Sequence, residues 1–231
     1  MEFFDSLINE VSDLIVTLPQ TAYAYSKENA WKDELYSQVI LQRDTAFEIE
    51  GVGFNLVTSA HIDDGIVVVG DDLVAIDNSR KFARICLVQL DDCDDEQEAY
   101  KIIKKVDYVK YHHFPTGYMI RSTSRSHKES VRVAKSAIKA KIDFASVGNL
   151  LINKYKENPK VKGVKVIFIT ADKADYKSLE NMAQKSTAIT ETLNHIMNSV
   201  KFDCDTCNLK PICDEVEGMK ELHFKNAGMG G

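Results

Sequence analysis

Six short apolar runs crowd into residues 39–88, too close together for helices to fit between them. They fall at 39–41, 46–49, 54–57, 66–69, 73–76 and 85–88, and each is rich in Val and Ile. Glycines and aspartates separate them, which is the pattern of short strands and turns. A parallel pair needs a crossover of about a dozen residues or more. Most gaps here are shorter, so neighbouring strands are expected to pair antiparallel. Gly70-Asp71-Asp72, between two apolar runs, has the form of a hairpin turn. Gly51 and Gly53 could suggest a phosphate loop. A lone glycine pair with no helix after it reads better as a bulge or turn.

Helical periods surround this region. Phe4, Leu7, Val11, Leu14 and Leu18 recur at three and four, predicting a helix over 3–18 that Pro19 ends. Residues 18–25 then read as a turn. A helix is expected over 96–106, followed by a strand from Tyr108 through His112 and His113. Ser126 to Glu129 has the form of a capping box, and Val131, Ala134 and Ile138 continue a helical stripe. Val147, Leu150, Leu151 and Tyr155 mark a helix over 143–158, stopped by Pro159. Residues 164–169 form a strand. Leu179, Met182, Ile189, Leu193, Ile196 and Val200 then give a long helix over 173–200 a coiled-coil-like seam. The expected fold is α+β: a largely antiparallel or mixed sheet from 37–120 and 164–169, covered by helices. Residues 1–200 would form this domain and 201–231 a cysteine-rich metal-binding extension.

That extension carries the chemistry. Three of the five cysteines, Cys204, Cys207 and Cys213, fall within ten residues, and His223 follows. A Cys-x2-Cys pair sets two thiolates on one tight turn, close enough for one metal ion or one edge of a cluster. Pro211 bends the chain before Cys213, which can close a face of the site, and His223 can supply a fourth ligand. Three cysteines and one histidine suit structural zinc; three cysteines alone suit a cluster with one open iron. The plain alternative is reduced, partly buried thiols with no metal. A disulfide across two intervening residues would be strained.

Net charge is −6, which disfavours non-specific nucleic-acid binding. No apolar run approaches the roughly eighteen residues of a membrane span. The first residues lack the basic region of a secretory signal, and the free cysteines fit a reducing cytoplasm. Within this acidic chain the most basic stretch holds Arg121, Arg125 and Arg132. A loop of Ser, Thr and Arg before a helix start is a candidate anion site; ordinary solubilising charge is the other reading.

Several segments recur in a familiar order: Ala46-Phe-Glu-Ile-Glu-Gly51, Gly65-Ile-Val-Val-Val-Gly70 and Arg132-Val-Ala-Lys-Ser-Ala137. After them come a helix with Gly148 and Leu151, and a long helix ending in the cysteine cluster. From Thr45 to His223 the chain resembles the middle of the acetyl-CoA synthase β subunit of the CO dehydrogenase/acetyl-CoA synthase complex. In that family the cluster reads Cys-x2-Cys-x8-Cys-x9-Cys and holds a [4Fe-4S] cubane bridged to a dinuclear nickel site. Here Cys204 and Cys207 keep the first spacing, Cys213 comes early, and His223 stands where the family has its fourth Cys. The family's later Cys-Gly-Cys, which holds the distal nickel, is missing from the sequence.

The resemblance implies a role in anaerobic C1 and acetyl-CoA metabolism without the full nickel site. Any activity would be that of a CO-methylating acyltransferase, though no catalytic residue can be named. It also implies a [4Fe-4S] cluster, CoA at Arg121, Arg125 and Arg132, and partners among the other subunits of such a complex or a corrinoid protein. The competing expectation is a stand-alone iron–sulfur or zinc module for electron transfer, sensing or metal delivery.

Overall fold

The computed structural model describes residues 2–33, 43–91, 96–112, 115–122, 128–198, 207–216 and 218–226. At 96, 110–112, 121–122 and 224–226 it describes the backbone alone. The fold is α+β, an open mixed sheet with helices packed against it. The strands are β1 (Gln20–Ala24), β2 (Thr45–Thr58), β3 (Gly65–Val69), β4 (Phe82–Leu90), β5 (Tyr118–Ser122), β6 (Lys128–Ala134) and β7 (Val161–Ile169). They lie in the order β1-β3-β7-β4-β2-β6-β5. β3 with β7 and β2 with β4 are parallel; the other four pairings are antiparallel.

The helices are α1 (Asp5–Val16), α2 (Glu96–His112), α3 (Lys135–Lys139), α4 (Phe144–Lys156), α5 (Tyr176–Met197), α6 (Lys210–Glu215) and α7 (Met219–Asn226). Nearly every residue of β4 is buried, as is β2 from Val52 onward, so both faces of the sheet are covered. α4 lies on the face that carries Ile66, Phe82 and Phe168. Phe144 of α4 stacks on Phe168 with ring centroids 4.5 Å apart, and Phe82 adds a third ring at 6.1 Å from Phe144. Gly148 lets α4 come close, since a Cβ there would lie 2.5 Å from Ile66. The start of α4 is fixed by a capping box between Asp143 and Ser146. Asp72 adds to this by accepting from the Leu73 and Phe144 amides at 2.6 and 2.8 Å. α5 packs on β2, where Ser186 donates to the Asn55 carbonyl at 3.1 Å. α2 reaches both α4 and α5, and the Tyr100 hydroxyl bonds Asn194.

Several local expectations fail. Residues 46–57 form one continuous strand, and the Gly51–Gly53 stretch is neither bulge nor turn. These glycines are needed for close approach. A Cβ on Gly51 would sit 1.6 Å from the Phe82 carbonyl oxygen, and one on Gly53 would sit 1.9 Å from a Glu129 carboxylate oxygen. Residues 18–25 supply the edge strand β1. Residues 73–75 are a turn and not a strand, so Gly70 opens no hairpin. Gly70 instead ends β3 at φ +104°, where a Cβ would lie 2.5 Å from the Ala171 amide. The backbone over 108–112 continues α2, because Val106 and Val109 keep the helical spacing. Residues 128–134 are β6, with Glu129, Val131 and Val133 buried at period two. The 39–41 run lies outside the described residues. No described helix is long and apolar enough to cross a membrane.

Candidate functional site

The cysteine motif begins just after α5. Cys204 lies outside the described residues. Cys207 precedes α6, whose first turn is Lys210–Pro211, and Cys213 lies within that helix. Pro211 at the helix start has no amide to donate, at a position where the amide would lack a partner. Both thiols are partly exposed, and neither forms a disulfide. His223 is partly exposed on α7. The two short helices are anchored to the body of the protein. Val216, Met219 and Leu222 are buried in the same core as the sheet, and Lys185 of α5 pairs with Glu215 at 2.7 Å. Among the described residues, no three His, Cys, Asp or Glu side chains gather as a metal-holding group. Cys207, Cys213 and His223 are therefore not preassembled. The donor chemistry suits a soft metal, but binding would have to draw the ligands together with Cys204, as in sites that form on metal binding.

The three basic residues fare differently. Arg125 lies outside the described residues. Arg121 is in β5, opposite Ser130 of β6, and only its backbone is described. Arg132 is in β6, directly opposite Glu48 of β2. Its Nε and Nη2 both donate to Glu48 Oε2, at 3.0 and 2.6 Å. The helix start invoked for an anion site is absent, because β6 occupies that stretch.

The structure also assembles a buried polar cluster that the sequence reading missed. Arg84 lies in the middle of β4 with its side chain fully buried. Its Nε and Nη2 donate to Glu129 Oε1 and Oε2, both at 2.8 Å, in a fork-to-fork pair. Its Nη1 donates to Cys86 Sγ at 2.9 Å and to Asn55 Oδ1 at 3.3 Å. Asn55 also accepts from the Tyr155 hydroxyl at 2.9 Å and donates to Asp107 Oδ1 at 3.0 Å. Five elements, β2, β4, β6, α2 and α4, thus meet in one network. Gly53 makes room for the Glu129 carboxylate. The clue was one arginine inside an apolar run, Phe82-Ala-Arg-Ile-Cys-Leu-Val88, since a charge in such a strand must find a partner.

The electrostatics follow from burial. Burial opposes the charge of Arg84, but the Glu129 carboxylate outweighs it and raises the guanidinium pKa well above the ordinary value. Burial, then Glu129, pushes the Tyr118 hydroxyl well above the usual tyrosine range. Among the described residues that hydroxyl has no hydrogen-bond partner. Burial and the Cys86 thiol raise Tyr155 likewise. The cluster therefore holds a fixed charge pair and two neutral phenols.

No protein-family model matches the chain, and no curated protein does.

Proposed function

We propose that the protein is a metal-binding α+β module whose Cys204, Cys207, Cys213 and His223 take one metal centre, first of all a [4Fe-4S] cluster. The observation that carries this reading is the placement of Cys207 and Cys213. Both thiols are partly exposed, Cys207 just before the short helix α6 and Cys213 within it, and the neighbouring α7 is anchored in the core. Such a mount keeps Cys207 and Cys213 at the surface, where a metal can reach them, while Val216, Met219 and Leu222 hold the chain that follows in the core. Thiolates must lose protons to bind, and the metal's charge drives that loss. The resemblance to the acetyl-CoA synthase β subunit supports iron–sulfur over zinc. It also supports work in the cytoplasm of an anaerobe, beside a complex of that type or a corrinoid protein. With Arg132 engaged by Glu48, CoA binding at the basic loop would rest on Arg121 and Arg125.

Metal analysis of anaerobically prepared protein tests the reading. A brown protein with about four irons per chain is expected for a cubane, and Cys207→Ser should lose it. A colourless protein with stoichiometric zinc would select the Cys3His alternative. Wild-type protein without stoichiometric metal, or a Cys207→Ser variant that keeps it, would end the metal reading.

A further inference from the structure

We propose that the outer edge of β1 pairs with β1 of a second copy of this chain, antiparallel, so that the two sheets join across a two-fold axis at Ala22. β1 is an edge strand: it pairs with β3 on one side, and all five of its residues are exposed. Among the described residues, no hydrogen bond ties residues 20–24 to anything but β3. Alternate residues therefore turn free N–H and C=O groups outward, the groups that recruit another strand.

Proteins guard such edges with charge, proline or a bulge. The opposite edge strand, β5, carries Arg121. β1 reads Gln-Thr-Ala-Tyr-Ala, with no charge, no proline and no shift of register. Pro19 stands just before it and marks where pairing must stop. Apolar surface gathers at the same edge. Among the described residues, three of the four exposed large apolar side chains belong to this edge or its flank. Tyr23 lies in β1, Val16 ends α1 four residues ahead of it, and Val74 lies five residues past Val69, the partner of Gln20. Such a patch marks an interaction surface.

The strand's own sequence selects a second copy as the occupant. Two-fold pairing about Ala22 sets Ala22 against Ala22, and Thr21 of each copy against Tyr23 of the other. These are two β-branched–aromatic pairs, a favourable cross-strand combination, and no like charges meet. Direction follows from the flanks. Asp71 and Asp72 follow soon after Val69, beside the start of β1. Arg80 is shared between Asp71 and Asp172, so this flank stays acidic. A parallel partner would bring two acidic flanks together. The antiparallel one sets them at opposite ends of five residue pairs, about 17 Å apart, beyond the Debye length of about 8 Å.

The test is sedimentation equilibrium of the full chain, in reductant so that disulfide-linked dimers do not count. A dimer is expected, weak for so short a strand, with a dissociation constant between about 10 μM and about 1 mM. Ala22→Lys and Ala22→Glu each set like charges across the two-fold axis, and each should weaken the dimer by about two- to fivefold. An equimolar mixture of the two variants sets opposite charges across the axis and should restore it. Ala22 is exposed, so both variants keep the core intact. Cys207→Ser should leave the dimer in place, which separates it from association through a metal. A chain that stays monomeric up to about 1 mM overturns the proposal. So does dimerisation of either Ala22 variant at wild-type strength, a mixture no tighter than the variants alone, or loss of the dimer in Cys207→Ser.

Discussion

Two arginine–glutamate pairs lie close together around β2 and β6, and they differ in almost everything but chemistry. Arg132 and Glu48 face each other across the antiparallel β2–β6 ladder, with side chains 22% and 34% exposed. Both donors converge on one carboxylate oxygen, and water reaches the rest. Arg84 and Glu129 are 0% and 1% exposed, and every bond is matched fork to fork. The first pair is a cross-strand contact of the kind that adds a few tenths of a kcal/mol. The second could exist only as a complete set, because each charge has left water and depends on the other. Ion pairs of the same residue types therefore have to be weighed by what replaces their hydration, and distance is a poor guide.

The largest effect should come from breaking the buried pair. Glu129→Gln leaves Arg84 charged and without its carboxylate, and a loss of about 3–5 kcal/mol is expected. Chemical denaturation would register it as a lower midpoint at unchanged slope. The comparison sharpens if both partners go. Arg84→Met with Glu129→Leu should recover most of that loss, because the cost lies in stranding one charge. A double variant as unstable as Glu129→Gln would show instead that the pair contributes net stability.

A smaller effect, of opposite sign, is expected beside it. Tyr118→Phe removes a buried hydroxyl that has no hydrogen-bond partner among the described residues, so stability should hold or rise by about 1 kcal/mol. A clear loss would mean the hydroxyl is bonded in solution. The smallest effect belongs to the outer pair. Glu48→Gln should cost under about 1 kcal/mol, and the difference should shrink as salt screens the wild-type contact. A salt-independent loss would place Glu48 in the company of Glu129.

The same contrast explains what the sequence made legible. Helix α4 could be read because Val147, Leu150, Leu151 and Tyr155 follow one period and Pro159 stops it. β3, β4 and β7 could be read as runs of Val, Ile and Phe. β6 could not. Its inward positions are Glu129, Val131 and Val133, and a buried glutamate counts as polar when only the pattern is seen. Without that first position the alternation vanishes, and Val131, Ala134 and Ile138 leave a false helical stripe. Gly51 and Gly53 misled in the same way. They look like a break in a strand, yet they are where Phe82 and Glu129 approach the backbone. The errors at β6 and at Gly53 come from one event, the burial of Glu129 against Arg84, whose two partners lie 45 residues apart in sequence. The cysteine motif was legible as residues and spacing. Its geometry was not, because short helices take their positions from tertiary packing, here through Val216, Met219 and Leu222.

Gly53 has a consequence for how this chain can change over time. An alanine there meets the Glu129 carboxylate, a shorter residue at 129 strands Arg84, and a neutral residue at 84 strands Glu129. Each single replacement leads downhill in stability, although a combined replacement need not. The three positions are therefore held together by the order in which mutations must arrive. Drift at any one of them has to wait for its neighbours, so descendants of this sequence should keep Gly53, Arg84 and Glu129 together or lose them together.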